Sequence, residues 1–342
     1  MNILTLDFQT LFRRHERRMY LEPEENKYND KLKKIDKNKK TILLLNEDRI
    51  RSPLSTQFYN RLEERNNFNV LQAKCGYELN FNECNADFVH VGLGYINNNI
   101  VAEINSIDKI PKIILEIGDI NTFVGYKGAD NYCEILKYLK IDILLFRMNY
   151  KLEVIEKLKK FISKNKCLQK TKLLYLPWGI DKRKYYSCSK KDIDVSMIMS
   201  IDKNWKFHDT RVKIADKIKQ IKHIDYYIEN IYGKEYIDKM ARSKIFIVDT
   251  SERRWVTQKY LEASMCECML LGEIPLYEDS IFVNKESIVE LNLKHFKDDI
   301  EYYLKKDKLR TKIASKCKEN ILKYNDIDII CDRYEKFLSE KL

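Results

Sequence analysis

The residues in this chain that are best placed to do chemistry lie between 243 and 279. An apolar, β-branched run from Ser243 to Asp249 predicts a buried strand, and a polar loop with two arginines follows it. The pattern then predicts a helix from Gln258 to Leu270 and, after glycine and proline breaks, another strand from Ile274 to Tyr277. A strand–loop–helix–strand unit of this kind belongs to an α/β sheet.

Two charged side chains, Lys259 and Glu262, fall in the first turns of that helix, behind the carboxyl end of the strand. Open α/β sheets bind ligands at this edge, where the N-terminus of a helix attracts anions. A lysine suits a diphosphate, and a carboxylate suits the hydroxyls of a ribose. The pattern therefore favours a nucleotide site, although an ordinary solvated glutamate on a helix would look the same.

The segment YLEASMCECMLLGEIPL, residues 260–276, resembles the EAxAxGxxPL segment of glycosyltransferases with the GT-B fold. In those enzymes a glutamate opens the helix that holds the sugar nucleotide, and the resemblance gives that role to Glu262. Two positions differ from the family. Glu267 stands where a small glycine is usual, and Arg254 stands where one large GT-B family has a second glutamate.

Two earlier segments add to this resemblance. LPWGID, residues 176–181, is similar to the PNGVD or PWGVD turn at which many GT-B enzymes begin their second domain. DVSMIMS, residues 194–200, with the arginine at 211, resembles the DVSFLGS loop and helix-opening arginine of the spore-coat CgeB-like glycosyltransferases. The resemblance implies a donor site in which cations bind the diphosphate. Our candidate donor-binding residues are Glu262, Lys259, Arg254, Arg211, Ser200, Lys203, Trp178 and Gly179.

The remaining pattern fits a two-domain α/β chain. Short, continuous apolar runs alternate with helical segments, as expected for parallel strands buried on both faces. The GT-B resemblance implies two doubly wound Rossmann-like domains that face each other across a cleft. We expect an N-terminal helix and basic linker (1–40), an acceptor-side domain (41–178), a nucleotide-sugar-binding domain (179–325) and a C-terminal helix (326–342).

The acceptor side offers three candidate catalytic residues. The loop after the first predicted strand is unusually charged, and either Glu47 or Asp48 could act as the base of an inverting enzyme. The families with the glutamate-bearing helix mostly retain configuration, so the resemblance favours retention without a protein base. His90 ends the third predicted strand, where it could contact an acceptor or be a hydrogen-bonded core histidine.

The charge of the chain narrows the class of partner. Lys and Arg number 63 against 52 Asp and Glu, a formal net charge of +11. Such a balance favours an acidic partner: a sugar nucleotide, an anionic membrane surface or nucleic acid. The lysines are spread along the whole chain and no recognition helix gathers them, so we expect no specific nucleic-acid binding. UDP- or GDP-sugars are the expected donors, and a glycan, protein or lipid the expected acceptor.

Other chemistries lack their motifs. There is no P-loop, GxSxG or HExxH, and the nine cysteines form no CxxC pair or zinc spacing. We therefore expect no metal, no cofactor, and reduced thiols in the cytoplasm. The prediction is a metal-independent, cytoplasmic glycosyltransferase that acts on an acceptor hydroxyl, with peripheral membrane contact allowed by its charge. Two alternatives stay open: a phage-type DNA-modifying glucosyltransferase, and a non-catalytic GT-B-like protein that binds sugar nucleotides.

Overall fold

The structure is a computed structural model that divides into two compact units. Unit 1 runs to Trp178 and resumes at Ile327, and unit 2 spans Gly179–Asp326. The structure describes residues 33–46, 53–74, 85–92, 98–105, 111–117, 138–201, 208–231, 233–248, 254–276 and 280–341, together with 31, 109, 136, 204 and 278.

Unit 1 holds a six-stranded parallel sheet in the order β2-β1-β3-β4-β5-β6. Its strands are the apolar runs of the sequence, and Ile42 to Leu45 of the first are at most 1% exposed because helices cover the sheet. The strands are β1 Thr41–Asn46, β2 Asn69–Lys74, β3 Phe88–Gly92, β4 Lys112–Ile117, β5 Ile141–Phe146 and β6 Lys172–Tyr175; the helices are α1 Pro53–Arg65, α2 Asn98–Asn105, α3 Leu152–Lys164 and, at the end of the chain, α9 Ile327–Lys341.

Unit 2 holds a five-stranded parallel sheet in the order β8-β7-β9-β10-β11. Its core packs the central strands against the helices that follow them. The strands are β7 Ile193–Ile198, β8 Tyr226–Glu229, β9 Ser243–Val248, β10 Met269–Gly272 and β11 Val289–Glu290; the helices are α4 Asp209–Lys219, α5 Gly233–Ala241, α6 Gln258–Met265, α7 Phe296–Lys305 and α8 Asp307–Asn325.

Each sheet reverses its strand order at one place. In unit 1, β1 lies between β2 and β3, and in unit 2, β7 lies between β8 and β9. Connections therefore leave neighbouring strands in opposite directions, which opens a crevice at their carboxyl ends where α/β proteins bind ligands. In unit 2 the segments at this crevice follow β7 and β9, the two strands that lead to α4 and α6.

The predicted helix from Gln258 to Leu270 is wrong in its second half. The helix ends at Met265, and residues Met269–Gly272 form β10. The predicted strand from Ile274 is also wrong, because 274–276 are irregular, and Tyr277 lies outside the described residues. The helix boundary could not be placed because the fully buried run 268–271 carries no helical or strand period. The strand prediction overlooked Pro275, which has no amide hydrogen to donate to a sheet.

A left-handed residue ends α6. Glu267 has φ 54°, its amide donates to the Ser264 carbonyl, and the amide of Cys268 donates to the carbonyl of Ala263. This is the Schellman arrangement, in which the left-handed position is usually glycine. Glu267 therefore occupies the place of the family's glycine at a conformational cost, and its carboxylate pairs with Lys318 at 2.7 Å.

Gly272 is required by close strand packing. A Cβ atom at this position would lie 2.1 Å from the carbonyl oxygen of Val248 on β9, well inside any contact distance. The glycine therefore lets β10 pair with β9 at the carboxyl edge of the sheet, where the candidate site begins.

An ionic network fixes α9 to α1 in unit 1. Arg65, the last residue of α1, donates to Asp328 at 3.1 Å and to Glu335 at 3.2 Å, and it also contacts Asp332. Arg61 donates to Asp328 at 2.7 Å. Because one guanidinium bonds several carboxylates along one face of α9, the network sets the helix's register as well as its attachment.

We predict that Glu267→Gly leaves the protein about 1 kcal/mol more stable than Glu267→Ala, because alanine keeps the cost of the left-handed conformation and glycine does not. Both variants lose the ion pair with Lys318, so this loss cancels in the comparison. Urea denaturation measures the two free energies of unfolding. An alanine variant as stable as the glycine variant would contradict the assigned conformation.

Candidate functional site

The centre of the candidate site is the carboxylate of Glu262 on α6. The side chain is 3% exposed, and two phenols hold it. The hydroxyl of Tyr236 on α5 donates to Oε2 at 2.6 Å, and that of Tyr185 donates to Oε1 at 3.2 Å. The sequence interpretation found the glutamate but neither tyrosine, because α5 and residue 185 are distant in sequence and carry no motif.

Burial dominates the electrostatics of Glu262. It raises the pKa of the carboxyl, while the charge of Lys259 and the hydrogen bonds from Tyr236 and Tyr185 act in the opposite direction. Burial and the neighbouring glutamate also raise the pKa of Tyr236 well above its usual value, so the phenol stays a proton donor. Lys259 lies 5.1 Å from the centre of the Tyr236 ring, so the predicted pair, Lys259 and Glu262, does share one cluster.

Arg254 lies just ahead of α6 and is fixed by the backbone. It has φ 51°, its Nε donates to the carbonyl of Ile274 at 2.8 Å, and its own carbonyl accepts from the amide of Leu276 at 2.8 Å. These bonds tie the segment after β9 to the segment after β10. The guanidinium is therefore held at the carboxyl edge of the sheet, the position expected of a phosphate ligand.

Arg211 and Ser200 are also brought together. Arg211, in the first turn of α4, donates from Nη1 to the carbonyl of Ser200 at 3.1 Å, and the same nitrogen lies 3.1 Å from Nε2 of His208. Ser200 is the second residue after the end of β7, so both residues stand at the crevice described above. Lys203, predicted in the same loop, lies outside the described residues.

A cavity of about 220 Å³ opens at this edge of unit 2. Its walls are apolar apart from a threonine and a glutamate, and they include the last residue of β9 and the residue after β10. The lining residues are Thr210, Ile214, Val248, Glu273, Leu291 and Leu293. The cavity makes the edge beside Arg211 concave.

The boundary between the two units falls between Trp178 and Gly179, the two residues of the segment 176–181 that were predicted to bind the donor. Trp178 belongs to unit 1, where the guanidinium carbon of Arg147 lies 5.3 Å from the centre of its ring, and buried Gly179 begins unit 2. Their predicted contacts with a donor stay predictions. The same holds for Glu47 and Asp48, which lie outside the described residues.

His90 is buried in a network of unit 1. It is 2% exposed, its Nε2 lies 3.0 Å from Oε2 of Glu116, and its Nδ1 lies 3.0 Å from the hydroxyl of Tyr334 on α9. Both ring nitrogens therefore have protein partners, which matches the hydrogen-bonded core alternative. Contact with an acceptor would require one of these bonds to break, and that role stays a prediction.

The same network holds a buried ion pair that the sequence interpretation missed. Nε and Nη2 of Arg147 each lie 3.1 Å from an oxygen of Glu116, and within the described part of the chain Nη1 has no hydrogen-bond partner. Burial would raise the pKa of Glu116, but the charge of Arg147 and the hydrogen bond with His90 hold it well below its usual range. The sequence did carry a signal for this ion pair. Glu116 lies at the carboxyl end of the apolar strand β4, and Arg147 directly follows the apolar strand β5.

No group of three or more His, Cys, Asp or Glu side chains among the described residues could hold a metal ion. None of the helices described is both long and apolar enough to cross a membrane.

We predict that Arg147→Met destabilises the protein by about 3–5 kcal/mol, because it leaves the Glu116 carboxylate buried without its partner. The loss should shrink as the pH falls, since the unpaired carboxyl then has a raised pKa and folds protonated. The double variant Arg147→Met/Glu116→Gln should recover most of the stability in urea denaturation. Equal losses in the single and double variants would contradict the ion pair.

The comparisons with known proteins agree on the fold. The α-glucosyltransferase solved with UDP and a 13-mer DNA containing an HMU base has a TM-score of 0.60 at 10% identity, over 88% of this chain and 99% of that one. HepE (Alr3699) from Anabaena, solved with UDP-glucose, gives 0.56 at 10%, over 87% and 99%. The sucrose-phosphate synthase of Thermosynechococcus elongatus gives 0.57 at 7%, over 88% and 99%. No curated protein matches the sequence significantly.

A family model described as glycosyl transferase-like matches residues 198–335, the stretch that contains Glu262 and its neighbours. The predicted GT-B fold is confirmed, whereas the narrower resemblance to CgeB-like proteins stays a prediction. The two parallel α/β units therefore give this chain the GT-B fold, and residues 198–335, most of them in the second unit, match a glycosyl transferase-like family model.

Proposed function

We propose that the protein transfers a sugar from a UDP-sugar to a hydroxyl of a glycan, protein or lipid acceptor, with retention of configuration and without a metal. The observation that carries this proposal is the Glu262 carboxylate. It is buried after the carboxyl end of β9, beside Lys259, and it lies in the stretch that matches the family. Burying an ionised group costs free energy, and a ligand that donates hydrogen bonds to it would offset that cost.

The surrounding charges suit a nucleoside diphosphate. Lys259, Arg254 and Arg211 all follow the carboxyl ends of β7 and β9, where the cations would face the phosphates while Glu262 accepts the ribose hydroxyls. HepE was solved with UDP-glucose and the α-glucosyltransferase with UDP, which supports UDP as the first donor to test.

The same cations supply the chemistry. Glycosyl transfer needs a stabilised diphosphate leaving group and a positioned acceptor hydroxyl. Fixed cations at the diphosphate stabilise the charge that develops as the sugar–phosphate bond breaks, so a metal is not required in the proposed mechanism. We propose retention because the glutamate-bearing helix resembles that of families that mostly retain configuration. In such a mechanism the acceptor side needs only to position the acceptor hydroxyl.

A donor panel tests the proposal. Thermal shift and donor hydrolysis are measured with UDP-, GDP-, ADP-, TDP- and CMP-sugars, in excess EDTA and without it. We expect stabilisation and slow hydrolysis with a UDP-sugar, unchanged by EDTA. Binding without hydrolysis or transfer would favour the non-catalytic alternative, and activity that EDTA abolishes and manganese restores would overturn metal independence.

The DNA-modifying alternative has support from the charge of +11 and from the DNA-bound α-glucosyltransferase among the similar structures. We prefer a glycan, protein or lipid acceptor for an enzyme of the cytoplasm, because the sequence gathers its lysines into no recognition element. Duplex titration at physiological ionic strength separates the two, since nonspecific affinity falls steeply with salt. If incubation with UDP-glucose produced glucosylated DNA, the acceptor would be DNA and not a glycan, protein or lipid.

We predict that Glu262→Gln weakens UDP-sugar binding by about tenfold or more, since a hydrogen bond to a charged group contributes about 1.5–3 kcal/mol. At pH values above the folded-state pKa of Glu262, the melting temperature of the variant should equal or exceed that of the wild type. Burial raises that pKa, so the ionised carboxylate of the wild type lowers its stability. Calorimetry and thermal denaturation across pH measure both effects.

The matched control is Glu267→Gln, which also replaces a carboxylate with an amide. The Glu267 side chain is half-exposed and pairs with Lys318. It should leave donor affinity unchanged. Equal affinity in the wild type and the Glu262 variant would remove Glu262 from the donor site.

A further inference from the structure

Tyr236 is a core tyrosine whose hydroxyl group has a specific partner. The side chain is 8% exposed, and its hydroxyl donates to Oε2 of Glu262 at 2.6 Å, whereas Tyr185 donates to Oε1 at 3.2 Å. We propose that Tyr236 is a positioning residue of the donor site, whose hydroxyl holds the Glu262 carboxylate in the orientation that accepts the donor's ribose. The inference rests on the proposed function of Glu262.

The hydrogen-bond capacity of the carboxylate supports this role. An ionised carboxylate has about four lone-pair positions, and two phenols occupy one on each oxygen. Among the described residues about two positions are left, one on each oxygen, which match the two neighbouring hydroxyls of a ribose. The short bond from Tyr236 fixes the rotation of the carboxylate and therefore the direction in which these positions point.

The groups that face Glu262 act together on its charge. Lys259 and Cys266 lie on its own helix, Tyr236 on α5, and Tyr185 on the segment that leads into β7. Lys259 and the two phenols favour the ionised carboxylate, while burial opposes it. Tyr236 therefore has a second effect: its hydrogen bond helps to keep the carboxylate ionised, the state that accepts hydrogen bonds from both ribose hydroxyls.

A purely structural role for the ring would not need the hydroxyl. Phenylalanine would fill the same volume and keep the contact of the ring with Lys259, at 5.1 Å. A buried phenol needs an acceptor, and within the described residues the recorded acceptor is Glu262. Tyr236→Phe therefore removes only the bond that we assign to positioning.

The test compares Tyr236→Phe with Tyr186→Phe. Tyr186 is the matched control, because its hydroxyl also donates to a carboxylate, that of Asp238 at 3.2 Å, but the side chain is 46% exposed. UDP-sugar affinity is measured by calorimetry from pH 5 to pH 9 for the wild type and both variants. We expect Tyr236→Phe to lower affinity about tenfold at pH 7, a loss of about 1.4 kcal/mol, and Tyr186→Phe to leave it unchanged.

The pH profile separates positioning from packing. Without the Tyr236 hydroxyl the pKa of Glu262 rises further, so the pH below which donor binding is lost should move upward, and the deficit should shrink as the pH rises. In a Glu262→Gln background, Tyr236→Phe should lower donor affinity by less than it does in the wild type, because Tyr236 acts through Glu262.

Three outcomes would count against the proposals, and they differ. Wild-type affinity and an unmoved pH profile in Tyr236→Phe, even with a lower melting temperature, would overturn the positioning role alone. An affinity loss that is the same at every pH and unchanged in the Glu262→Gln background would also overturn it. Failure of the wild type to bind any nucleotide sugar would overturn the proposed function and this role with it.

Discussion

A buried carboxylate must be given donors, and each unit of this protein meets that constraint at the carboxyl edge of its sheet. In unit 1 a guanidinium bonds Glu116 on both oxygens, and His90 adds a third contact, so the pKa of the carboxyl falls despite burial. In unit 2 two neutral phenols and a nearby Lys259 only partly offset the burial of Glu262, whose pKa stays raised. The first carboxylate is paired with charged and polar groups of the protein, whereas the second is the one to which the proposed function assigns a ligand.

The two carboxylates also differ in the elements that they join. The Glu116–Arg147 pair links β4 to the end of β5 and, through His90, to α9, so it ties the centre of the sheet to the last helix of the chain. The cluster around Glu262 instead joins α5 and α6 at the place where the strand order of unit 2 reverses. Helices and connections diverge there, which is why we propose this edge of the sheet for the donor.

Much of the fold could be predicted from the sequence because its strands are short, continuous apolar runs. Thr41 to Leu45 and Asp142 to Phe146 match β1 and β5 to within one residue at either end. The prediction failed between Met265 and Tyr277, where most side chains are apolar or small and the turn at Glu267 lacks the glycine that marks it in the family. Without a period or a turn residue, the boundary depends on tertiary packing.

The sequence by itself determined the chemistry of the residues that we propose for the donor site: a glutamate and a lysine at the start of one helix, and arginines after the carboxyl ends of β7 and β9. These are local facts, because a strand, a loop and a helix start are neighbours along the chain. The tertiary structure decided which distant groups surround them. Tyr236 and Tyr185 lie 26 and 77 residues from Glu262, and Arg147 lies 31 residues from Glu116. Such partners meet only when strands pair and helices pack, so their spacing in the sequence could not have predicted them.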